Sequence, residues 1–276
     1  FNELVPGGRT STGRAIWSED TCIVKPIEVV QKLKQDLQKR GVNFLFFEKD
    51  WEVEAGFKTI IFNDNARLAY NHLINCAGLQ ADKVAQKFNV GNFYTMLPFK
   101  GSYWQFKKDV PFKFTTNLYP VPDLEIPFLG VHVTPSIDGV TYLGPTAVPA
   151  MGIENYKGMK GADPILILNF IRHMATQVAR DKKMRNYVKN QAFDWTPKFF
   201  LNAAKLIIPK VEMNHIERSN KVGIRPQLYD LKKKELVQDF VMLDGPNSTH
   251  VVNAISPAFT ASFELADHIL KYIKLR

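Results

Sequence analysis

Cysteine is scarce in this chain, whose only two cysteines, Cys22 and Cys76, lie far apart in sequence. Two such residues do not make a disulfide framework, and their scarcity predicts a reducing, intracellular compartment. Long apolar runs are also lacking, since no stretch approaches the ~20 residues that a membrane-spanning helix needs. No secretory leader pattern is found either. We therefore expect a cytoplasmic protein, and its positive charge leaves peripheral contact with the inner face of a membrane open.

A glycine-rich phosphate loop is missing as well. The glycines among residues 1–22 follow no strand and do not form G-x-G-x-x-G, so they offer no cradle for a dinucleotide pyrophosphate. The net charge of +9 favours an anionic substrate, an anionic cofactor, an acidic membrane or nucleic acid without selecting among them. Neither zinc-ligand spacing nor a basic and aromatic array accompanies that charge. We therefore expect no metal site and no nucleic-acid partner.

The overall amino-acid composition is typical of a globular protein. The 276 residues are 45% hydrophobic and 23% charged, enough for one large domain or two ordinary ones. Periodicity and turn residues predict a mixture of helices and strands. The predicted helices cover residues 26–40, 79–88, 163–190 and 199–208, and a last one ends near 273. The predicted strands cover residues 42–47, 57–62, 66–70, 72–78, 128–134, 140–143 and 236–241, with a hairpin turn at 63–65.

The stretch from Thr116 to Pro145 carries the first candidate functional residue. Its strand over residues 128–134 alternates, so Leu129, Val131 and Val133 face one way, whereas Gly130, His132 and Thr134 face the other. A face that bears Gly, His and Thr is either exposed to solvent or lines a pocket. His132 is accordingly either an exposed strand residue or a pocket residue, and the pattern leaves both open.

Two other segments end strands on small or turn-forming residues. The strand that runs into Asn75, Cys76, Ala77 and Gly78 is followed by a helix, which suits either close approach of a cofactor or close strand–helix packing. Residues 250–262 read as a strand, a short loop and a helix start. A simple helix cap by Ser256 and Pro257 is the alternative to a ligand-binding role there.

Arg225 stands between Gly223 and Pro226, in the string Val-Gly-Ile-Arg-Pro-Gln. An arginine in this setting can present its planar guanidinium to a carboxylate in two parallel hydrogen bonds. A surface turn fits the same string.

Several of these strings together resemble the flavin-dependent L-2-hydroxyglutarate dehydrogenases, a branch of the D-amino-acid-oxidase-like flavoenzymes. The matching strings are YPVPD, PFLGVH, LGP, INCAG, PFKGSYW, GIRPQ and HVVNAISPAFTAS. The resemblance covers residues 20–275, as the C-terminal two-thirds of a full family member without the G-x-G-x-x-G unit. It implies an α/β fold with α+β character, in which an N-terminally truncated, split FAD-binding domain (1–90 and 222–276) carries an inserted antiparallel-sheet substrate domain (91–221).

The resemblance also implies roles for particular residues. It makes His132 the catalytic base and Arg225 the ligand of the substrate carboxylate, with Tyr119, Tyr103 and Lys100 in the pocket. Lys100 and Ser102 depart from the family's usual Arg and Glu at their positions. The residues implied to contact FAD are Asn75, Cys76, Ala77, Gly78, Ser256, Pro257, Ala258, Phe259 and Thr260.

The implied reaction is oxidation of a 2-hydroxy acid, L-2-hydroxyglutarate first of all, to 2-oxoglutarate by hydride transfer to FAD. A quinone or another respiratory-chain carrier is the implied electron acceptor. Two alternatives stay open: an amino-acid or amine oxidase of the same family, and a truncated, non-catalytic binding module.

Overall fold

The computed structural model describes residues 3–5, 7–10, 12–46, 50–121, 130–191, 196–255 and 257–274. The helices are α1 (Pro26–Lys39), α2 (Ala81–Lys87), α3 (Pro164–Arg180), α4 (Lys182–Gln191), α5 (Pro197–Ile207) and α6 (Ser262–Lys274). The strands are β1 (Trp51–Glu54), β2 (Thr59–Phe62), β3 (Arg67–Ala69), β4 (Leu73–Asn75), β5 (Tyr94–Phe106), β6 (His132–Pro135), β7 (Thr141–Gly144), β8 (Val148–Pro149), β9 (Ile216–Asp230), β10 (Glu235–Leu236), β11 (Val241–Gly245) and β12 (Ser248–Asn253). This mixture confirms the predicted α/β class with α+β character.

The chain forms two compact units, each assembled from three segments. The first unit comprises Phe1–Phe46, Lys100–Val148 and Asp181–Gly223, and the second comprises Phe47–Phe99, Pro149–Arg180 and Ile224–Arg276. The long strands β5 and β9 each pass from one unit into the other. The domain boundaries implied by the family resemblance stay a prediction.

The first unit is built on an antiparallel sheet with the strand order β9-β5-β7-β6. One face of this sheet is apolar: Val133 and Leu143 are completely buried and belong to one core cluster with Phe200 and Ala204 of α5. The cluster forms because α5 presents its apolar stripe to the sheet, and Thr196 starts that helix by accepting a hydrogen bond from Phe199 N on its side chain.

The alternation predicted for the His132 strand is confirmed in its described part. Val131 and Val133 are buried, whereas His132 and Thr134 are half-buried on the other face. Leu129 lies outside the described residues. A turn precedes β7, since Gly139, with φ of 79°, donates its N–H to Ser136 O.

The second unit contains two three-stranded sheets and the order β10-β9-β5. The hairpin sheet is β1-β2-β3, with Asn65 at φ of 62° in the predicted turn. The other sheet is β11-β12-β4, in which β12 and β4 run parallel. Its core includes Ala85 of α2 and Val252 of β12, both almost wholly buried.

Three predicted elements differ from the observed ones. The long helix over 163–190 is divided at Asp181, whose carboxylate accepts hydrogen bonds from Lys183 N and Met184 N and so starts α4. Residues 42–46 do not form a strand. The strand over 236–241 is interrupted after Leu236, because buried side chains take the carbonyls that a strand ladder would use: Gln227 donates to Val237 O at 2.6 Å, and Asn253 donates to Asp239 O.

Candidate active site

The face of the first unit's sheet opposite α5 carries polar and aromatic side chains. Antiparallel pairing places Thr134 opposite Tyr142 and Gln105 opposite the same tyrosine, and it places His132 opposite Gly144. Residues paired in this way project to the same side of a sheet. We call this side the polar face, and it brings His132 together with residues that lie far away in sequence.

His132 is held as a neutral proton acceptor. Its Nδ1 lies 3.1 Å from Gly130 O, and since a carbonyl can only accept, Nδ1 carries the proton and Nε2 carries the lone pair. Within the part of the chain that the structure describes, no donor occupies Nε2. Desolvation lowers the pKa of His132, the Gly130 hydrogen bond opposes that effect, and the positive charge of Lys221 lowers the pKa further.

Tyr119 lies against the His132 ring. Their ring centroids are 4.7 Å apart, with 32° between the planes. The placement follows from the backbone: Leu118 and Val133 exchange two N–H···O hydrogen bonds of 2.9 Å, which sets the next residue beside His132. Tyr119 itself is 56% exposed, so its ring covers one side of the imidazole while remaining open to solvent.

Tyr103 is positioned by a glycine. Gly144 has φ of 140°, and a Cβ there would lie only 2.9 Å from Tyr103 Cδ1, so the ring occupies space that any other residue would fill. Tyr103 also packs edge-to-face on Tyr142, with centroids 6.2 Å apart. Burial raises the pKa of the Tyr103 hydroxyl, and Tyr119 adds to the increase. Tyr103 is therefore a neutral hydrogen-bonding group at neutral pH.

Lys221 completes the polar face and was not predicted from the sequence. Its Nζ lies 4.2 Å from the ring centroid of Tyr142 and 4.9 Å from that of Tyr103. Desolvation lowers the pKa of Lys221, although the residue as a whole remains exposed. The available sequence signal was the alternation of β9, in which residue 221 precedes Gly223 and Arg225 at the same phase; Tyr142 was likewise visible only as a strand residue.

Lys100 lies at the beginning of the first unit's part of β5, three residues before Tyr103. It is half-buried, and desolvation lowers its pKa. The adjoining Gly101 packs against Pro145, because a Cβ there would lie 2.8 Å from Pro145 Cβ. Lys100 is thus a partly desolvated cation on the strand that carries Tyr103.

Arg225 belongs to the second unit, where β9 continues as a regular strand rather than a surface turn. It is half-buried and donates from one guanidinium nitrogen to Gln227 Oε1 at 3.2 Å. Gln227 is completely buried and is held in turn by Val237 O. A guanidinium oriented by a buried amide has few rotamers left, which suits directional binding of a planar anion.

The segments implied to contact a cofactor follow two neighbouring parallel strands. His250 of β12 pairs with Asn75 of β4, so the chain leaves both strands at the same edge of the sheet. That edge of a parallel pair is the usual place for a ligand in α/β sheets. Asn75 organises the loop after β4, because its Oδ1 accepts from Ala77 N and its Nδ2 donates to Ala81 O.

His250 is the residue beneath this edge that the sequence did not reveal. An amide nitrogen can only donate, so His250 Nδ1 accepts from Asn75 Nδ2 at 3.2 Å, and its Nε2–H donates to Ser248 Oγ at 2.9 Å. Its side chain is completely buried. Desolvation lowers the pKa of His250 to about 4, with Asp244 opposing that effect and His72 adding to it. Both nitrogens are used, so the residue is structural.

The residues at this edge fit a cofactor with hydrogen-bonding groups. Asn253 is 1% exposed, and among the described residues its Oδ1 has no hydrogen-bond partner, so it can accept from a ligand. Gly78 has φ of 56° with open space where a Cβ would stand. Cys76 is exposed as a residue, yet partial desolvation raises the pKa of its thiol.

The second implied segment forms turns before its helix. Thr260 Oγ1 and Ala261 N both donate to Pro257 O, at 3.1 and 3.0 Å. The helix itself, α6, begins at Ser262, the last residue of the segment predicted to hold a strand, a short loop and a helix start. Ala258 is half-buried and Phe259 exposed, and Ser256 lies outside the described residues.

Comparison with known proteins finds a matching family and several similar proteins. Residues 1–271 match the family described as FAD dependent oxidoreductase. The chain is 31% identical to the L-2-hydroxyglutarate dehydrogenase of Indibacter alkaliphilus over 94% of its length and 64% of the relative's. It is 31% identical to the mitochondrial L-2-hydroxyglutarate dehydrogenase of Caenorhabditis elegans, covering 93% of the chain and 61% of that protein. A solved glycerol-3-phosphate dehydrogenase from Bacillus halodurans with FAD aligns with a TM-score of 0.49 and 13% identity over 90% of this chain and 43% of that one.

The chain therefore spans somewhat less than two-thirds of the length of these two curated relatives. None of the helices in the described segments has the length and apolar character that crossing a bilayer requires. In the same segments, no group of three or more His, Cys, Asp or Glu side chains is placed to hold a metal ion.

Proposed function

Because the chain belongs to the FAD dependent oxidoreductase family, we propose that its protein oxidises a 2-hydroxy acid, L-2-hydroxyglutarate first of all, to the 2-oxo acid. The observation that carries the proposal is the state of His132. Its tautomer leaves Nε2 as a basic nitrogen on the polar face, and its lowered pKa keeps it unprotonated at neutral pH. Oxidation of an alcohol needs such a base, because the hydroxyl proton must leave as the C2 hydride departs.

In this proposal His132 Nε2 accepts the hydroxyl proton, and Arg225 binds the C1 carboxylate. The Gly130 carbonyl stabilises the imidazolium that results, since it accepts from Nδ1 throughout. Tyr119 and Tyr103 exclude water around the imidazole, and Lys100 adds positive potential for an anionic substrate. FAD, when bound, supplies the hydride acceptor.

Asn75, Cys76, Ala77 and Gly78 are the residues of β4 and its loop proposed to hold FAD. Residues 256–260, after β12, are proposed to do so from the neighbouring strand. Two features at this edge support the proposal: Asn253 Oδ1 has no hydrogen-bond partner among the described residues, and Gly78 has open space where a Cβ would stand. We further propose a quinone or respiratory-chain carrier as electron acceptor, and a cytoplasmic location with peripheral contact at a membrane.

The first test is the visible spectrum of the purified protein before and after addition of FAD. We expect flavin bands that remain with the protein through gel filtration and that bleach when L-2-hydroxyglutarate is added without oxygen. An amino-acid panel distinguishes the amine-oxidase alternative, because those substrates would bleach the bands instead. A protein that binds FAD yet is bleached by neither class would contradict the proposal.

The second test addresses His132 directly. His132→Gln removes the base but keeps a hydrogen-bonding side chain, and we expect kcat to fall by roughly 10²- to 10⁴-fold, as general-base losses do. His268→Gln, on an exposed position of α6, is the matched control and should leave kcat unchanged. Unaltered turnover in His132→Gln would exclude its role as the base.

A further inference from the structure

Among the described residues, Lys221 is a cation without a carboxylate partner. Its Nζ lies over two tyrosine rings, at 4.2 Å from Tyr142 and 4.9 Å from Tyr103. No described carboxylate is within ion-pair distance of it. Glu217, the preceding acidic residue of β9 at the same phase, is four residues away and accepts a hydrogen bond from Gln105 at 2.9 Å. The rings therefore hold the ammonium in a definite place without neutralising it.

Such a cation is a natural anion site. Contact with the ring faces offsets part of the lost hydration, but aromatic rings bring no negative charge, so a partly desolvated ammonium still gains from an incoming carboxylate. The two tyrosines also restrict the flexible lysine stem, which reduces the entropy lost when a ligand binds.

The site adjoins the proposed catalytic base. His132 pairs with Gly144, and the Tyr103 ring fills the space beside that glycine. Lys221 Nζ lies 4.9 Å from the centroid of the same ring, and its positive charge lowers the pKa of His132. A ligand whose reacting hydroxyl reaches His132 Nε2 would extend its remaining atoms over this face.

We propose that Lys221 binds the second carboxylate of a dicarboxylic 2-hydroxy acid and so selects dicarboxylic over monocarboxylic substrates. The inference rests on the proposed function, in which Arg225 is assigned the C1 carboxylate and His132 the hydroxyl. It adds a specificity determinant that those two residues do not supply. Arg225 and His132 contact only the C1 carboxylate and the hydroxyl, so they would bind monocarboxylic and dicarboxylic acids of the same length equally well.

Binding without turnover gives the sharper test. Glutarate and pentanoate have the same carbon chain and differ in one carboxylate, and calorimetry on the FAD-loaded full-length protein compares them. A charge-assisted hydrogen bond of ordinary strength corresponds to about a 10- to 100-fold change in Kd. We expect Lys221→Met to raise the Kd of glutarate by that factor and the Kd of pentanoate by less than twofold. Lys221→Arg should retain most of the glutarate affinity, and Lys198→Met, at an exposed position of α5, should change the affinity for neither ligand.

Turnover provides the second readout. In Lys221→Met, kcat/KM should fall for L-2-hydroxyglutarate, mainly through KM, and stay nearly constant for L-2-hydroxypentanoate. Equal losses for both acids, or no loss for either, would overturn the inference while leaving the proposed function intact. If the wild-type protein oxidises neither acid yet binds glutarate through Lys221, the proposed function fails and the carboxylate site stands. Retained activity in Lys221→Arg would show that the losses in Lys221→Met do not come from misfolding.

Discussion

The buried pair of His250 and Asn75 predicts how the stability of the second unit depends on pH. In the folded protein the pKa of His250 is about 4, against an ordinary value of 6.5. Below pH 6.5 the unfolded chain takes up a proton that the folded chain does not, so the free energy of unfolding falls as the pH falls. The loss continues to about pH 4, below which both states bind the proton and the difference no longer changes.

The magnitude follows from the two pKa values. Each pKa unit corresponds to about 1.4 kcal/mol, so the gap between 6.5 and about 4 corresponds to roughly 3 kcal/mol for one histidine. The side chain is completely buried, so water does not weaken this effect. The cause is also visible in the contacts: a proton on Nδ1 would face Asn75 Nδ2, a donor facing a donor, in a pocket closed to water.

Urea unfolding at a series of pH values between 4 and 7.5 measures this contribution. His250→Gln cannot titrate, so the difference in unfolding free energy between wild type and variant should shrink by roughly 3 kcal/mol from pH 7 to pH 4. His268→Gln, which alters an exposed histidine of α6, is the control and should leave the wild-type pH dependence in place. A difference between wild type and His250→Gln that is the same at every pH would refute the reasoning.

Three further predictions concern the first unit. Gly144→Ala should destabilise the protein by about 1–3 kcal/mol in urea unfolding, since φ of 140° and the Tyr103 ring both oppose a Cβ; Gly139→Ala, strained in φ alone with open space around it, should cost less. Phe200→Ala should cost about 3–5 kcal/mol in the same assay, because the ring is 1% exposed in the core beneath the sheet; a loss below 1 kcal/mol would contradict that packing. The acidic limb of the kcat/KM profile should lie below pH 6.5, since desolvation lowers the pKa of His132, and Lys221→Met should move it upward; a limb above pH 6.5 would assign it to another group.

Local patterns predicted what depends on local geometry. The alternation of Val131, His132, Val133 and Thr134 follows from the two-residue period of a strand, and the structure confirms which pair is buried. Helix α1 also follows its sequence signals, with Pro26 at its first residue. These features need no knowledge of distant residues, which is why the sequence sufficed.

Side chains that act across the fold were missed for the opposite reason. The tautomer of His250 depends on its hydrogen bond with Asn75, which is 175 residues away in sequence. The sequence around residue 250 gives no sign of that partner. The break in the predicted strand after Leu236 depends on the amides of Gln227 and Asn253, both outside it. The role of Lys221 could not be predicted from the sequence, because only the pairing of strands places Tyr103 and Tyr142 beside it.

The two neutral histidines show why burial alone does not identify a catalytic base. Desolvation lowers the pKa of both, but the acceptor or donor beside Nδ1 selects opposite tautomers. Gly130 O takes the Nδ1 proton of His132 and leaves Nε2 basic, whereas Asn75 donates to Nδ1 of His250 and directs its Nε2–H into Ser248. A base needs a nitrogen lone pair that the substrate can reach. A fully buried imidazole with both nitrogens in hydrogen bonds offers no such lone pair. His132 meets that condition and His250 does not, so the hydrogen-bond partners, rather than the size of the pKa change, assign one to chemistry and the other to structure.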